Sequence, residues 1–129
     1  MERTKVITPY FENGVFAGVR VTLGDEDFVI APKDYQNGNE MPWQVAMDAL
    51  KADNLSTWNY RQICLTMAYR EDIDKVLEAN GGDVLDNWYW TCAEYSAYYS
   101  FYYNGVNGRL HDNSKKVTYS VRAIKNLKK

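Results

Sequence analysis

Three features of this 129-residue sequence predict an α+β fold. Alternating apolar residues dominate before position 31, two helical stretches occupy the middle of the chain, and strand-like composition returns after Gly82. Strands, two helices and then strands imply two helices packed on a twisted antiparallel sheet. No internal repeat, low-complexity stretch or linker interrupts the chain, so residues 1–129 read as a single domain.

The first third reads as a hairpin. Val15, Ala17, Val19, Val21 and Leu23 alternate along one segment, and a half-buried strand requires that period of two. The Gly24-Asp25-Glu26-Asp27 turn separates it from the apolar run Phe28-Val29-Ile30-Ala31. Pro, Asp, Asn and Gly between Pro32 and Glu40 mark a loop.

Met41-Pro42-Trp43 opens the first helix, with proline in the first turn. Trp43, Ala46, Met47 and Leu50 fall on one face, and the helix stops near Asp53-Asn54. A second helix runs from about Tyr69 to Asn80. Ile73, Val76 and Leu77 form its apolar stripe, and Arg70, Glu71, Asp72, Asp74, Lys75 and Glu78 face water. Asn80-Gly81-Gly82 caps it, because glycine tolerates the left-handed conformation that ends helices. Trp88-Tyr89-Trp90, Ser100–Tyr103, Arg109-Leu110 and Val117–Ile124 then read as β segments, with Asn104-Gly105, Asn107-Gly108 and Asp112-Asn113 as turns.

Composition narrows the function classes. An apolar fraction of 46% and a charged fraction of 25% are those of a globular chain, which at this length buries roughly two-thirds of its unfolded surface. A net charge of -2 supplies no field for a phosphate backbone, so no nucleic-acid partner is expected. The basic run Lys125–Lys129 reads as a solvated end. The amino terminus, MERTKVITPYFENG, has no apolar segment of a secretory signal, and no membrane span is expected. The chain is therefore expected to be soluble and cytoplasmic or virion-associated, reaching a surface only through a partner or non-standard export. Cys64 and Cys92 are expected to be free, buried thiols, although pairing stays open at this point.

Gly81-Gly82, Trp90-Thr91-Cys92-Ala93-Glu94-Tyr95-Ser96, Asn107-Gly108, Lys115 and Val121-Arg122-Ala123-Ile124-Lys125 occur in that order. The series resembles GG…YWSSTEYS…NG…K…VRPVR, the carboxy-terminal pattern of the bacterial and phage family DUF1566. Between Glu94 and Arg122 the spacing matches without a gap, and Ile73 and Leu77 match the helix before the glycine pair. Where the family reads WRLPT this chain has Trp58-Asn59-Tyr60-Arg61-Gln62, and YWSST is replaced by Tyr89-Trp90-Thr91-Cys92-Ala93. The resemblance implies a C-type-lectin-like fold related to the variable domains diversified by retroelements. It further implies a phage, prophage or bacterial surface setting and a protein or glycan ligand.

The local surplus of tyrosine suits that expectation. Of 11 tyrosines, six lie between Tyr89 and Tyr103. If Phe101 and Tyr103 point inward, alternation turns Ser100, Tyr102 and Asn104 outward. Tyrosine gives rigid contact area at low entropy cost, and small polar residues adapt around it. The candidate binding residues are therefore Tyr98, Tyr99, Tyr102, Asn104, Asn107, Arg109, His111 and Asn113. The competing reading makes some of these tyrosines ordinary strand residues in an aromatic core.

Catalytic parts are scarce. His111 is the one histidine, and nothing in the spacing places it beside either cysteine as a base. Formylglycine-generating enzymes have a similar fold, but their paired carboxy-terminal cysteines have no counterpart after Cys92. No CxxC, HExxH or EF-hand loop occurs, and Gly24-Asp25-Glu26-Asp27 reads as a hairpin turn. The Glu-Pro-Asn and Trp-Asn-Asp elements by which sugar-binding C-type lectins hold calcium are also missing, leaving Asp83 and Asp86-Asn87 as the remaining ion-ligand candidates. A non-catalytic binding domain without cofactor or metal is the expectation, with an enzyme relative or an oligomer-forming subunit as alternatives. If the surface is diversified by a retroelement, the gene is expected beside a reverse transcriptase and a near-identical template repeat. Sequencing the locus checks this, and absence of both leaves a static binding domain.

Overall fold

Turn chemistry sets up the amino-terminal sheet in the computed structural model, which describes residues 5–127. Strands β1 (Lys5–Glu12) and β2 (Val15–Leu23) meet at Asn13-Gly14, whose φ values of 52° and 78° suit a tight right-twisted hairpin. The next turn, Gly24-Asp25, joins β2 to β3 (Glu26–Ile30), with Leu23 opposite Glu26. Alternation in this hairpin sends Val19, Val21, Phe28 and Ile30 into the core. The carboxy-terminal strand β9 (Ile124–Asn126) pairs with β3, giving the antiparallel order β1-β2-β3-β9. The terminal strands thus share a sheet at opposite edges and do not pair with each other.

Helix α1 (Trp43–Ala52) buries Trp43, Ala46 and Leu50, with Pro42 just ahead of its first residue. Helix α3 (Arg70–Ala79) buries Ile73 and Leu77. Its exit is closed by Gly81 at φ 81° and by the Gly82 amide donating to the Leu77 carbonyl at 2.8 Å. Between them lies a helix that the two-helix expectation lacks, α2 (Tyr60–Ala68). Its start is a reciprocal cap: Asn59 accepts from the Gln62 amide at 2.8 Å, and the Gln62 side chain accepts from the Asn59 amide at 3.0 Å. The residues that depart from the WRLPT pattern are the ones that nucleate this helix.

The second half of the chain forms two further sheets. Strands β5 (Trp88–Glu94), β6 (Tyr99–Asn104) and β7 (Arg109–Ser114) are antiparallel neighbours, and β4 (Met41–Pro42) pairs with β8 (Thr118–Tyr119). Three antiparallel sheets therefore replace the single one expected. Asp112-Asn113, expected as a turn, lies within β7 opposite Phe101 and Ser100. Val117–Ile124 is not one strand either. Residues 120–123 run buried between sheets, and Ser120 exchanges backbone hydrogen bonds with Trp88 and Trp90.

Two apolar clusters result, and one charged side chain sits where the elements around them meet. Val19, Val21, Phe28, Ile30, Trp58, Ile63, Ile73, Leu77, Leu85, Tyr89 and Tyr103 pack together, while Met41, Trp43, Ala46, Leu50, Trp90, Tyr119 and Val121 form the second group. The Arg122 guanidinium is 0% exposed. It donates to the carbonyls of Ala31 (3.0 Å), Asp83 (2.9 Å) and Val84 (3.0 Å) and to the Tyr89 hydroxyl (3.3 Å), and it pairs with Asp34 at 2.9 Å. Its Nε is buried without a partner among the described residues. Removing one member of a buried pair strands the other, so Arg122→Met is expected to lower unfolding stability by about 3–5 kcal/mol. Urea denaturation of the variant beside the wild type checks this, and a loss below about 1 kcal/mol contradicts it.

Candidate functional site

Cross-strand register divides the aromatic segment into two faces. Trp90, Tyr102 and His111 are directly opposed across β5, β6 and β7, as are Trp88, Asn104 and Arg109. Ser100 opposes Asn113. Side chains opposed in register share a face of the pleat, so Tyr102, Asn104, Arg109, His111 and Asn113 belong to one face. Tyr89, Tyr103 and Leu110 belong to the other. There Tyr89 and Tyr103 meet the Trp58 ring edge-on at 5.8 and 6.2 Å, inside the main core.

Alternation thus assigned the side chains to the correct faces but not their exposure. The first face is covered in part by Tyr119 from β8, whose ring stacks on Tyr102 at 4.3 Å and meets Trp90 at 4.8 Å. Tyr102 is consequently half-buried, and Asn113 donates from Nδ2 to the Tyr119 hydroxyl at 2.8 Å. Asn104 and Ser100, expected outward, are buried. Asn104 Oδ1 accepts from the amides of Val106 (2.9 Å) and Asn107 (3.3 Å), and Ser100 Oγ donates to the Ala93 carbonyl at 2.7 Å. The Asn104 oxygen thus holds the following turn, and the Ser100 hydroxyl ties β6 to β5. Asn107 stays exposed, but its side chain also accepts from a backbone amide, that of Arg109 at 2.9 Å. Arg109 and His111 remain exposed on the face itself.

Tyr98 and Tyr99 do not join this group. Tyr98 lies in the turn after β5 and is 78% exposed, whereas Tyr99 opposes Ser114 on the far side of the sheet from Tyr102. They lie near a second aromatic group in which Phe101 meets Tyr60 at 5.6 Å and Tyr95 at 5.7 Å. The turn is firmly held. Ser96 Oγ accepts from the amides of Tyr98 and Tyr99, and the Lys115 amide donates to the Tyr98 carbonyl. Lys115 Nζ reaches Glu94 and the Ala97 carbonyl while lying 4.3 Å from the Trp43 ring centre.

One exposed ring on the first face is a residue that tyrosine counting missed. Trp88 is 41% exposed and stacks on Tyr102 at 5.7 Å with an 18° interplanar angle. Beside it opens a cleft of about 380 Å³ lined by Glu40, Asn87, Trp88, Thr118 and Tyr119. Trp88-Tyr89-Trp90 carried a signal for this face, since alternation puts both tryptophans opposite the core tyrosine. Glu40 and Thr118 carried none. They are 78 residues apart and meet because β4 pairs with β8, where Thr118 Oγ1 donates to Glu40 at 3.3 Å.

Other chemistry is thinly represented. Both cysteines are free, but Cys64 is exposed and Cys92 half-buried, so the expectation of two buried thiols is corrected. Helix α2 accounts for Cys64, which falls on its solvent side next to the buried Ile63. Burial pushes the Cys92 thiol above its usual range, which disfavours the reactive thiolate. His111 rests against Tyr102 at 5.6 Å. Among the described residues no three His, Cys, Asp or Glu side chains are grouped to hold a metal ion. Asp83 instead faces Lys33 at 3.5 Å, and the Asn87 amide bonds Asp34 and Ser120. No helix among the described residues is long and apolar enough to cross a membrane. No protein-family model matches the chain, and no curated protein matches it.

Burial, reinforced by a hydrogen bond with Tyr119, raises the Tyr102 phenol to about 12. Because the neutral form is favoured by the fold, the associated stability is complete below about pH 10 and lost as pH rises through the folded value. In a phenolate absorbance titration, the difference between wild type and Tyr102→Phe is expected to grow only near pH 12. A difference step near the ordinary tyrosine value of about 10 contradicts the packing of Tyr102 beneath Tyr119.

Proposed function

We propose that this chain is a non-catalytic ligand- or receptor-binding domain on a C-type-lectin-like scaffold, of the kind found in DUF1566 and retroelement-diversified variable proteins. The observation that carries the reading is the exposed Trp88 ring, braced by Tyr102 and Tyr119 and set beside an open cleft. Large aromatic anchors held rigid beside a concavity supply contact area without an ordering cost on binding. Arg109 and His111 lie on the same face and add adaptable polar contacts. The unpaired thiols and the raised Cys92 thiol favour binding over an oxidase of the formylglycine-generating type.

A second reading, an oligomer-forming subunit, is favoured by Tyr60 and Tyr95, which flank Phe101, and by Tyr98 and Tyr99 at the β5–β6 turn, all four exposed. Exposed aromatic patches of that sort commonly mark protein interfaces.

Panning a random peptide display library and a glycan array with the wild-type domain separates the two. Binders are expected to lose about tenfold or more on Trp88→Ala and to survive Tyr99→Ala, which alters the opposite face. Binders indifferent to Trp88→Ala and His111→Ala contradict the binding reading. A light-scattering mass that falls to one chain on Tyr98→Ala with Tyr99→Ala supports the subunit reading.

A further inference from the structure

The lining of the cleft beside Trp88 narrows the chemistry of its occupant, and the inference rests on the binding reading above. Of the five lining residues, two offer aromatic surface, Trp88 and Tyr119, and one is ionised, Glu40. The Asn87 amide is already engaged: its Nδ2 donates to Ser120 at 3.0 Å and Asp34 at 3.4 Å, and its Oδ1 accepts from the Trp88 amide at 2.9 Å. The Tyr119 hydroxyl accepts from Asn113, and Thr118 donates its hydroxyl to Glu40. Glu40 itself is exposed and has no ion-pair partner among the described residues. Its second carboxylate oxygen is left to accept.

We propose that this cleft takes an organic cation, an alkylguanidinium or alkylammonium group, laid against the Trp88 indole with its N–H donors toward Glu40. An indole face attracts a cation through its quadrupole, and tryptophan does so best among the aromatic side chains. A carboxylate at the rim adds charge-assisted hydrogen bonds whose geometry suits a planar guanidinium. An anionic ligand would meet the uncompensated Glu40 charge. A neutral sugar would find the Asn87 amide occupied. The volume of about 380 Å³ accommodates the end of a side chain or a small amine.

The four tryptophans make the test direct, because Trp43, Trp58 and Trp90 are buried and Trp88 is not. The Trp88 indole N–H resonance, assigned by its loss in Trp88→Phe, is followed while the domain is titrated with Nα-acetylarginine amide, Nα-acetylcitrulline amide or methylguanidinium. The arginine amide is expected to shift it with an affinity at least about fivefold above that of its neutral citrulline isostere, and Glu40→Gln is expected to weaken the arginine response about two- to fivefold. A stronger response to the arginine amide than to methylguanidinium identifies a partner's side chain as the source. Equal responses identify a free small cation. If the arginine and citrulline amides shift the resonance alike, if neither shifts it, or if Glu40→Gln responds as the wild type does, the cation assignment is overturned. The binding reading falls separately, only when the panned binders prove indifferent to both Trp88→Ala and His111→Ala.

Discussion

The buried guanidinium of Arg122 is the contact on which the arrangement of the three sheets depends. Taking a cation wholly out of water costs several kcal/mol, and only dense pairing offsets it. The partners of Arg122 come from three separate stretches: the Ala31 carbonyl and Asp34 in the segment after β3, Asp83 and Val84 after α3, and Tyr89 in β5. Tyr89 in turn donates to Asp34 at 2.8 Å, which closes the network. A rigid fork with fixed donor directions can satisfy that set only when the elements stand in one relation to each other. The amino-terminal sheet, the exit of α3 and the aromatic sheet are thereby held in place together.

That fixed relation bears directly on the recognition surface. Tyr119 lies three residues before Arg122 in a buried segment that hydrogen-bonds to Trp88 and Trp90 through Ser120. With the segment so placed, the Tyr119 ring falls onto Tyr102, and Trp88, in contact with both, is left as the exposed member of a cluster of three rings. A cluster of this kind gives the ligand a surface already desolvated on its inner side and immobile before binding. The same placement brings β8 against β4 and thus sets Thr118 and Glu40 at the mouth of the cleft. The β5–β6 turn is held separately, through Ser96 and Lys115, and Tyr99 beside it lies on the other face of the sheet from Tyr102. Two aromatic surfaces on opposite sides of one thin sheet can meet two partners without competing.

Local signals were sufficient for much of the fold. Alternation in β2 and β3, the stripes of α1 and α3 and the glycine exit of α3 all read directly from the chain, because each depends on residues within a turn or two of one another. Helix α2 was missed, because its short stripe did not stand out by periodicity and only the Asn59 and Gln62 cap marks its start. Strand β1 was missed too, since its place is set by pairing with β2 across the Asn13-Gly14 turn. The three-sheet division was not legible, since β4 and β8 are two residues each and exist by virtue of pairing across the chain.

By itself, the sequence determined an α+β chain, the inward course of Tyr103 and the shared face of Ser100, Tyr102 and Asn104. Period-two alternation is a property of one strand, so it needs nothing beyond the strand's own residues. Only the tertiary structure decided which members of that face meet solvent. Tyr119 covers Tyr102 and engages Asn113, the following turn consumes the Asn104 side chain, and Trp88, Glu40 and Thr118 gather at the cleft. Exposure is decided by what packs on a face from elsewhere in the chain, and no pattern within the strand encodes the arrival of a ring from β8.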